Sequence, residues 1–142
     1  MIYTAQTKKA MKLCFRAHKK QTDKSGIPYV FHPIHLAEQM ETEVTTVVAL
    51  LHDVIEDTRY TLKKLKKLGF SDEALDALVL LTHNKAVDYM DYVAKIKENP
   101  IAKAVKLADL KHNSDTSRLD VVDEKALERR KKYQEAIAFL EK

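Results

Sequence analysis

Four residues stand out for the chemistry they could do together: His52, Asp53, Glu56 and Asp57, in the order H-D-x-x-E-D. They interrupt the most apolar stretch of the chain, which carries Val44, Val47, Val48, Ala49, Leu50, Leu51, Val54 and Ile55. Read as one central helix from Val44 to Asp57, that stretch puts residues 52 and 56 on one face, and 53 and 57 likewise. An imidazole and three carboxylates would then share a short patch. Burying so much acid without a counter-charge is costly, and a bound cation supplies the charge directly. The alternative is an exposed C-terminal turn, where the acids would oppose the helix dipole.

Two more polar residues break apolar surroundings. His32 directly precedes Pro33, and Asp109 lies in Val105-Lys106-Leu107-Ala108-Asp109, with Asn113 one turn on. A lone histidine or aspartate is more often a satisfied structural residue than a ligand. His32, the His52-Asp53 pair and Asp109, set on separate helices that must pack together, form a mixed nitrogen and oxygen donor set. Such a set suits Mn²⁺, Fe²⁺, Co²⁺ or Zn²⁺ and argues against Mg²⁺ or Ca²⁺, which prefer all-oxygen shells.

The elements that must position these residues are helical. Only two glycines and three prolines occur in 142 residues, of which 45% are hydrophobic and 32% charged. That composition predicts an all-α fold: one domain over residues 1–142, a bundle of seven or eight helices with short connections. Thr4 should cap a first helix running to about Lys20. The loop from Gln21 to Pro28 follows. Pro33 should open the second helix, with His32 as its N-cap. Beyond the central helix, a short helix over Thr61 to Leu68 ends at Gly69, and Ser71 caps another running to Thr82. Further helices cover about Val87 to Lys97, Asn99-Pro100 to His112, and Val122 to Leu140.

The same composition bounds the function. A lone cysteine, Cys14, cannot form an internal disulfide and fits a reducing, cytoplasmic setting, where its place in an apolar stripe indicates packing. No leader peptide is recognisable and no apolar run reaches the ~20 residues needed to span a bilayer, so no membrane partner is expected. A formal net charge of +4 suits an anionic small molecule and is too weak to indicate nucleic acid. The cluster Lys63-Lys64-Lys66-Lys67 lacks interleaved aromatics and reads as a solvated face, as does the run from Glu128 to Lys132. His18 reads as a packed histidine. Nothing in the sequence bears on oligomeric state.

Taken in order, the blocks His32-Pro33, His52-Asp53 with Glu56-Asp57, Lys106-Leu107-Ala108-Asp109 and His112-Asn113 resemble the HD superfamily of metal-dependent phosphohydrolases. The branch most similar is the hydrolase domain of the bacterial alarmone enzymes that degrade (p)ppGpp, together with their stand-alone relatives. The loop Lys24-Ser25-Gly26-Ile27-Pro28-Tyr29 matches that branch too, as does Leu50 to Thr58. The resemblance spans roughly residues 5 to 118 and implies a compact HD-type bundle. It implies that His32, His52, Asp53 and Asp109 ligate one divalent metal ion, usually Mn²⁺, and that Glu56 and Asp57 handle the attacking water and its proton. It also implies that Lys24, Ser25, Tyr29, Asn113 and Thr116 line a pocket for a phosphorylated nucleotide.

Three departures from that pattern bear on the substrate. Asp23 stands where the alarmone hydrolases usually carry an arginine against the guanine base. Leu110 replaces the arginine of an Ala-Asp-Arg block, and Ser114-Asp115-Thr116 replaces a Met-Arg-Thr run. The expected reaction is therefore hydrolysis of a phosphorylated nucleotide, with (p)ppGpp the leading substrate. NADPH or a nucleoside monophosphate is the close rival. A domain that binds metal and nucleotide without turnover is a third reading, against which the Glu56-Asp57 pair argues.

Overall fold

The computed structural model describes all of residues 1–142 and is all-helical in its regular structure, with no strands. In chain order the helices are α1 (Ala5–His18), α2 (Phe31–Glu38), α3 (Glu43–Leu51), α4 (Val54–Asp57), α5 (Leu62–Lys67), α6 (Asp72–Leu81), α7 (Tyr89–Lys97), α8 (Pro100–Asn113) and α9 (Glu124–Glu141). A 3₁₀ turn covers Thr116–Arg118. Eight of the α-helices have six residues or more and α4 is a single turn, in keeping with the expected seven or eight.

Local chemistry sets most of the boundaries. The Thr4 hydroxyl accepts from the Thr7 amide, Ser71 from Ala74, and Asn99 from Ile101 and Ala102, each satisfying amides that a first helical turn leaves free. Gly69 ends α5 at φ +90°, a conformation side-chain-bearing residues rarely adopt. α7 begins at Tyr89 rather than Val87 because the Asp88 carboxylate caps the amides of Met90 and Asp91. Asp123 in the same way starts α9 two residues later than expected.

α3 is the axis of the bundle, touching α1, α2, α6 and α8. Val48, Ala49, Leu50 and Leu51 are fully enclosed, joined in one core by Leu36, Leu65, Leu78, Ile96, Leu110 and Leu140. Cys14 is part of this core; burial, then Asp53, pushes its thiol up to about 12, so it packs rather than reacts.

Two helix expectations are corrected. The central helix does not continue from Val44 to Asp57: α3 stops at Leu51, and Asp53 adopts φ −104°, ψ 1° before α4 restarts. The cause is local. His52 Nδ1 lies 2.7 Å from the Ala49 carbonyl oxygen, the acceptor a continuing helix would offer to the amide of residue 53. The second helix opens at Phe31, ahead of Pro33, so His32 lies inside its first turn instead of capping it. A proline is tolerated there because first-turn amides have no intrahelical partner.

Candidate metal centre and its cavity

The bond to Ala49 decides the tautomer of His52. A carbonyl can only accept, so Nδ1 carries a hydrogen, and in the neutral ring Nε2 carries the lone pair. That Nε2 is buried with no hydrogen-bond partner. It faces Asp53 Oδ2 at 3.0 Å and Asp109 Oδ1 at 3.5 Å. A lone pair aimed at two carboxylate oxygens is unfavourable unless a cation or a proton lies between them. Burial opposes a charge on His52, yet Asp53 and Asp109 outweigh it and raise its pKa well above the usual imidazole value.

α2 and α8 complete the cluster. His32 Nε2 lies 2.9 Å from Asp109 Oδ1, and its Nδ1 lies 2.7 Å from Nδ1 of His112, whose ring stacks on it at 5.0 Å. His32, His52 and Asp109 are all buried, and one donor atom from each falls within 4.8 Å of the others. Asp53 adjoins this triad through His52 and accepts from the Tyr29 hydroxyl. The orphaned imidazole nitrogen and the mixed donors fit a divalent transition metal, and three of the four sequence-derived ligands form the tight group.

Asp109 is the most heavily held side chain. Its Oδ1 accepts from Asn113 Nδ2 at 3.0 Å, while its Oδ2 lies 3.0 Å from Lys106 Nζ. Burial would raise its pKa, but Lys106, His32 and His52 hold it well below the ordinary carboxylate range. Lys106 was not singled out from the sequence as a site residue; its i, i+3 spacing to Asp109 was the available signal.

After the break that ends α3, Glu56 and Asp57 lie exposed, whereas His52 is buried and Asp53 half-buried. Glu56 accepts from the His83 amide at 3.2 Å. Both carboxyls have raised pKa values, from partial burial first and then from Asp53. Two neighbouring carboxyls with pKa values shifted upward beside the cluster suit general acid–base work.

The loop before α2 supplies a cavity wall. Asp23 Oδ1 accepts from the amides of Ser25 and Ile27, and Gly26 takes φ +80°, which folds the segment tightly and presents Lys24. A cavity of about 330 Å³ brings together Lys24, Tyr29, His32, Asn113 and Thr116. Ser25 is not on its wall; its hydroxyl accepts from the Asp120 amide and ties the loop to the segment after the 3₁₀ turn. Arg118, Arg129 and Tyr133 also line the wall and were missed in the sequence. Arg129 and Tyr133 share a face of α9 with the buried Ala126 and Ala136, a stripe hidden within a charged run. Arg118 donates to the His112 carbonyl at 2.8 Å and places a second guanidinium nitrogen 3.9 Å from Asp23. Its guanidinium brings a cation back to the side where Asp23 and Asp115 stand.

No family model matches the chain. A mouse protein named guanosine-3′,5′-bis(diphosphate) 3′-pyrophosphohydrolase MESH1 is 34% identical over 114 residues, covering 70% of this chain and 63% of that protein. A Haemophilus influenzae protein named guanosine-3′,5′-bis(diphosphate) 3′-pyrophosphohydrolase is 34% identical over 114 residues, 70% of this chain and 17% of its own. A probable GTP pyrophosphokinase of Mycobacterium leprae is 32% identical over 123 residues; the chain spans 16% of that protein's length. Among solved structures, a metazoan ortholog of SpoT described as hydrolysing ppGpp superposes with a TM-score of 0.76. That match covers 99% of this chain and 87% of the other at 23% identity, and it shows a shared fold. The chain is thus similar, over 70% of its length, to two proteins named guanosine-3′,5′-bis(diphosphate) 3′-pyrophosphohydrolase, and it shares the helical fold of the solved structure.

Proposed function

We propose that this chain is a metal-dependent phosphohydrolase of a phosphorylated nucleotide, and that (p)ppGpp, losing its 3′-pyrophosphate, is the substrate. The observation that carries the reading is the buried, partnerless Nε2 of His52, held against Asp53 and Asp109 beside His32. His32, His52, Asp53 and Asp109 would hold one divalent ion, with Mn²⁺ first among the metals that suit these donors. Such an ion, when bound, supplies Lewis acidity and lowers the pKa of water from ~15.7 towards neutrality.

The remaining work falls to the chain. Tyr29 holds Asp53, and Lys106 and Asn113 hold Asp109, so the carboxylates keep one orientation. Glu56 and Asp57 take the proton of the attacking water and return one to the departing 3′-oxygen as the phosphorus–oxygen bond breaks. Lys24, Arg118 and Arg129 meet the phosphate charge, and Tyr29 and Tyr133 offer aromatic faces along the same wall.

Asp23 and Leu110 favour a second reading, the same chemistry on NADPH or a nucleoside monophosphate. Asp23 is an anion and Leu110 is neutral, so neither offers a cation to a guanine base; Asp23 is spent on its loop and Leu110 is sealed in the core. Product analysis of the Mn²⁺-loaded protein with ppGpp, GTP, NADPH and a generic phosphomonoester separates the two, with Asp53→Ala alongside. Pyrophosphate released from ppGpp alone, and lost in the variant, establishes the first reading; cleavage of another substrate establishes the second. Metal uptake without any turnover would overturn both.

A further inference from the structure

Lys106 is a lysine almost wholly withdrawn from water, its side chain 13% exposed, beside a buried aspartate. Its ammonium lies 3.0 Å from Asp109 Oδ2 and 5.4 Å above the ring of Tyr92. Tyr92 is itself fixed, donating its hydroxyl to the Leu81 carbonyl at 2.8 Å. The other oxygen of Asp109, Oδ1, is the one near His32 and His52. Ammonium and imidazoles therefore engage opposite oxygens of one carboxylate. A cation arriving among the imidazoles need not displace the lysine. Without Lys106, the contacts of Asp109 would be Asn113 and the two histidines, and a buried carboxylate so placed lacks a permanent counter-charge.

We infer that Lys106 is a positioning residue of the cluster, its ammonium pinning Asp109 through the oxygen that faces away from the imidazoles before any metal arrives. The apoprotein then folds with its donor set already arranged. Only the metal-dependent part of the test below rests on the proposed function.

The experiment is a double-mutant cycle of Lys106→Met, Asp109→Asn and the pair, followed by thermal unfolding in EDTA and again with Mn²⁺. In EDTA, Lys106→Met is expected to lower Tm by roughly 10 °C. In the Asp109→Asn background the same change should cost less than half as much, because a neutral amide needs no counter-charge. Mn²⁺ should raise the Tm of Lys106→Met by more than it raises that of the wild type. Equal cost in both backgrounds would overturn the inference and leave Lys106 as packing. Should Lys106→Met fail to fold in EDTA, a folded double variant supports the inference and an unfolded one overturns it. A wild-type Tm indifferent to Mn²⁺ would count against the metal reading, while the cycle in EDTA still decides the role of Lys106.

Discussion

The side chain of His52 reaches back three residues to the carbonyl of Ala49, at 2.7 Å, and this one contact has two effects. It removes an acceptor from the helix ladder, so α3 ends there and Asp53 turns out of helical geometry. It also fixes the hydrogen on Nδ1 and leaves the Nε2 lone pair facing the carboxylates. His52→Ala loses both. Metal affinity, read by titration into the apoprotein, should fall by at least about 100-fold, beyond the usual cost of losing a supporting partner. Undiminished metal binding would remove His52 from the centre.

Tyr29 separates orientation from ligation. Its hydroxyl donates to Asp53, while its ring lies 5.0 Å from His18 and 5.6 Å from His32. Tyr29→Phe keeps the ring and deletes only the donor. The expected result is an unchanged far-ultraviolet circular dichroism spectrum with metal affinity weakened by about 10-fold. Affinity equal to wild type would show that Asp53 holds its position unaided.

Glu56 sits on the rim, bonded to the His83 amide. Glu56→Gln preserves size and one acceptor oxygen but cannot take a proton. Metal content should be retained while turnover drops by about 10²–10⁴-fold, the range expected for loss of a general base. Turnover within a factor of two of wild type would exclude Glu56 from proton transfer.

The resemblance to the alarmone hydrolases sets Leu110 against an arginine of their pattern, which invites the idea that an arginine here would add a cation to the cavity. At 1% exposure it points into the core. Leu110→Arg should instead bury an unpaired charge and destabilise the fold by about 4 kcal/mol, measured by urea denaturation. A variant of wild-type stability with altered substrate preference would show that this part of α8 can rotate towards the cavity.

The sequence by itself determined the helical class, most helix starts and the residue types of the centre. Thr4, Ser71 and Asn99 cap, and Gly69 terminates, through bonds and torsions confined to a few residues, so their effect is legible from spacing. The donors His32, His52 and Asp109 stood out because polar groups in apolar surroundings need a reason. Their assembly was decided only by tertiary structure. Tyr29 meets Asp53 across 24 residues, His32 meets Asp109 across 77, and both contacts depend on how α2 and α8 pack against α3. Arg129 read as part of a solvated charged run and Arg118 drew no reading, yet the 3₁₀ turn and α9 bring both to the cavity wall. The helix break at His52 also escaped pattern reading. Apolar periodicity continues straight through it, whereas the break comes from one side chain taking a backbone acceptor within an enclosed core.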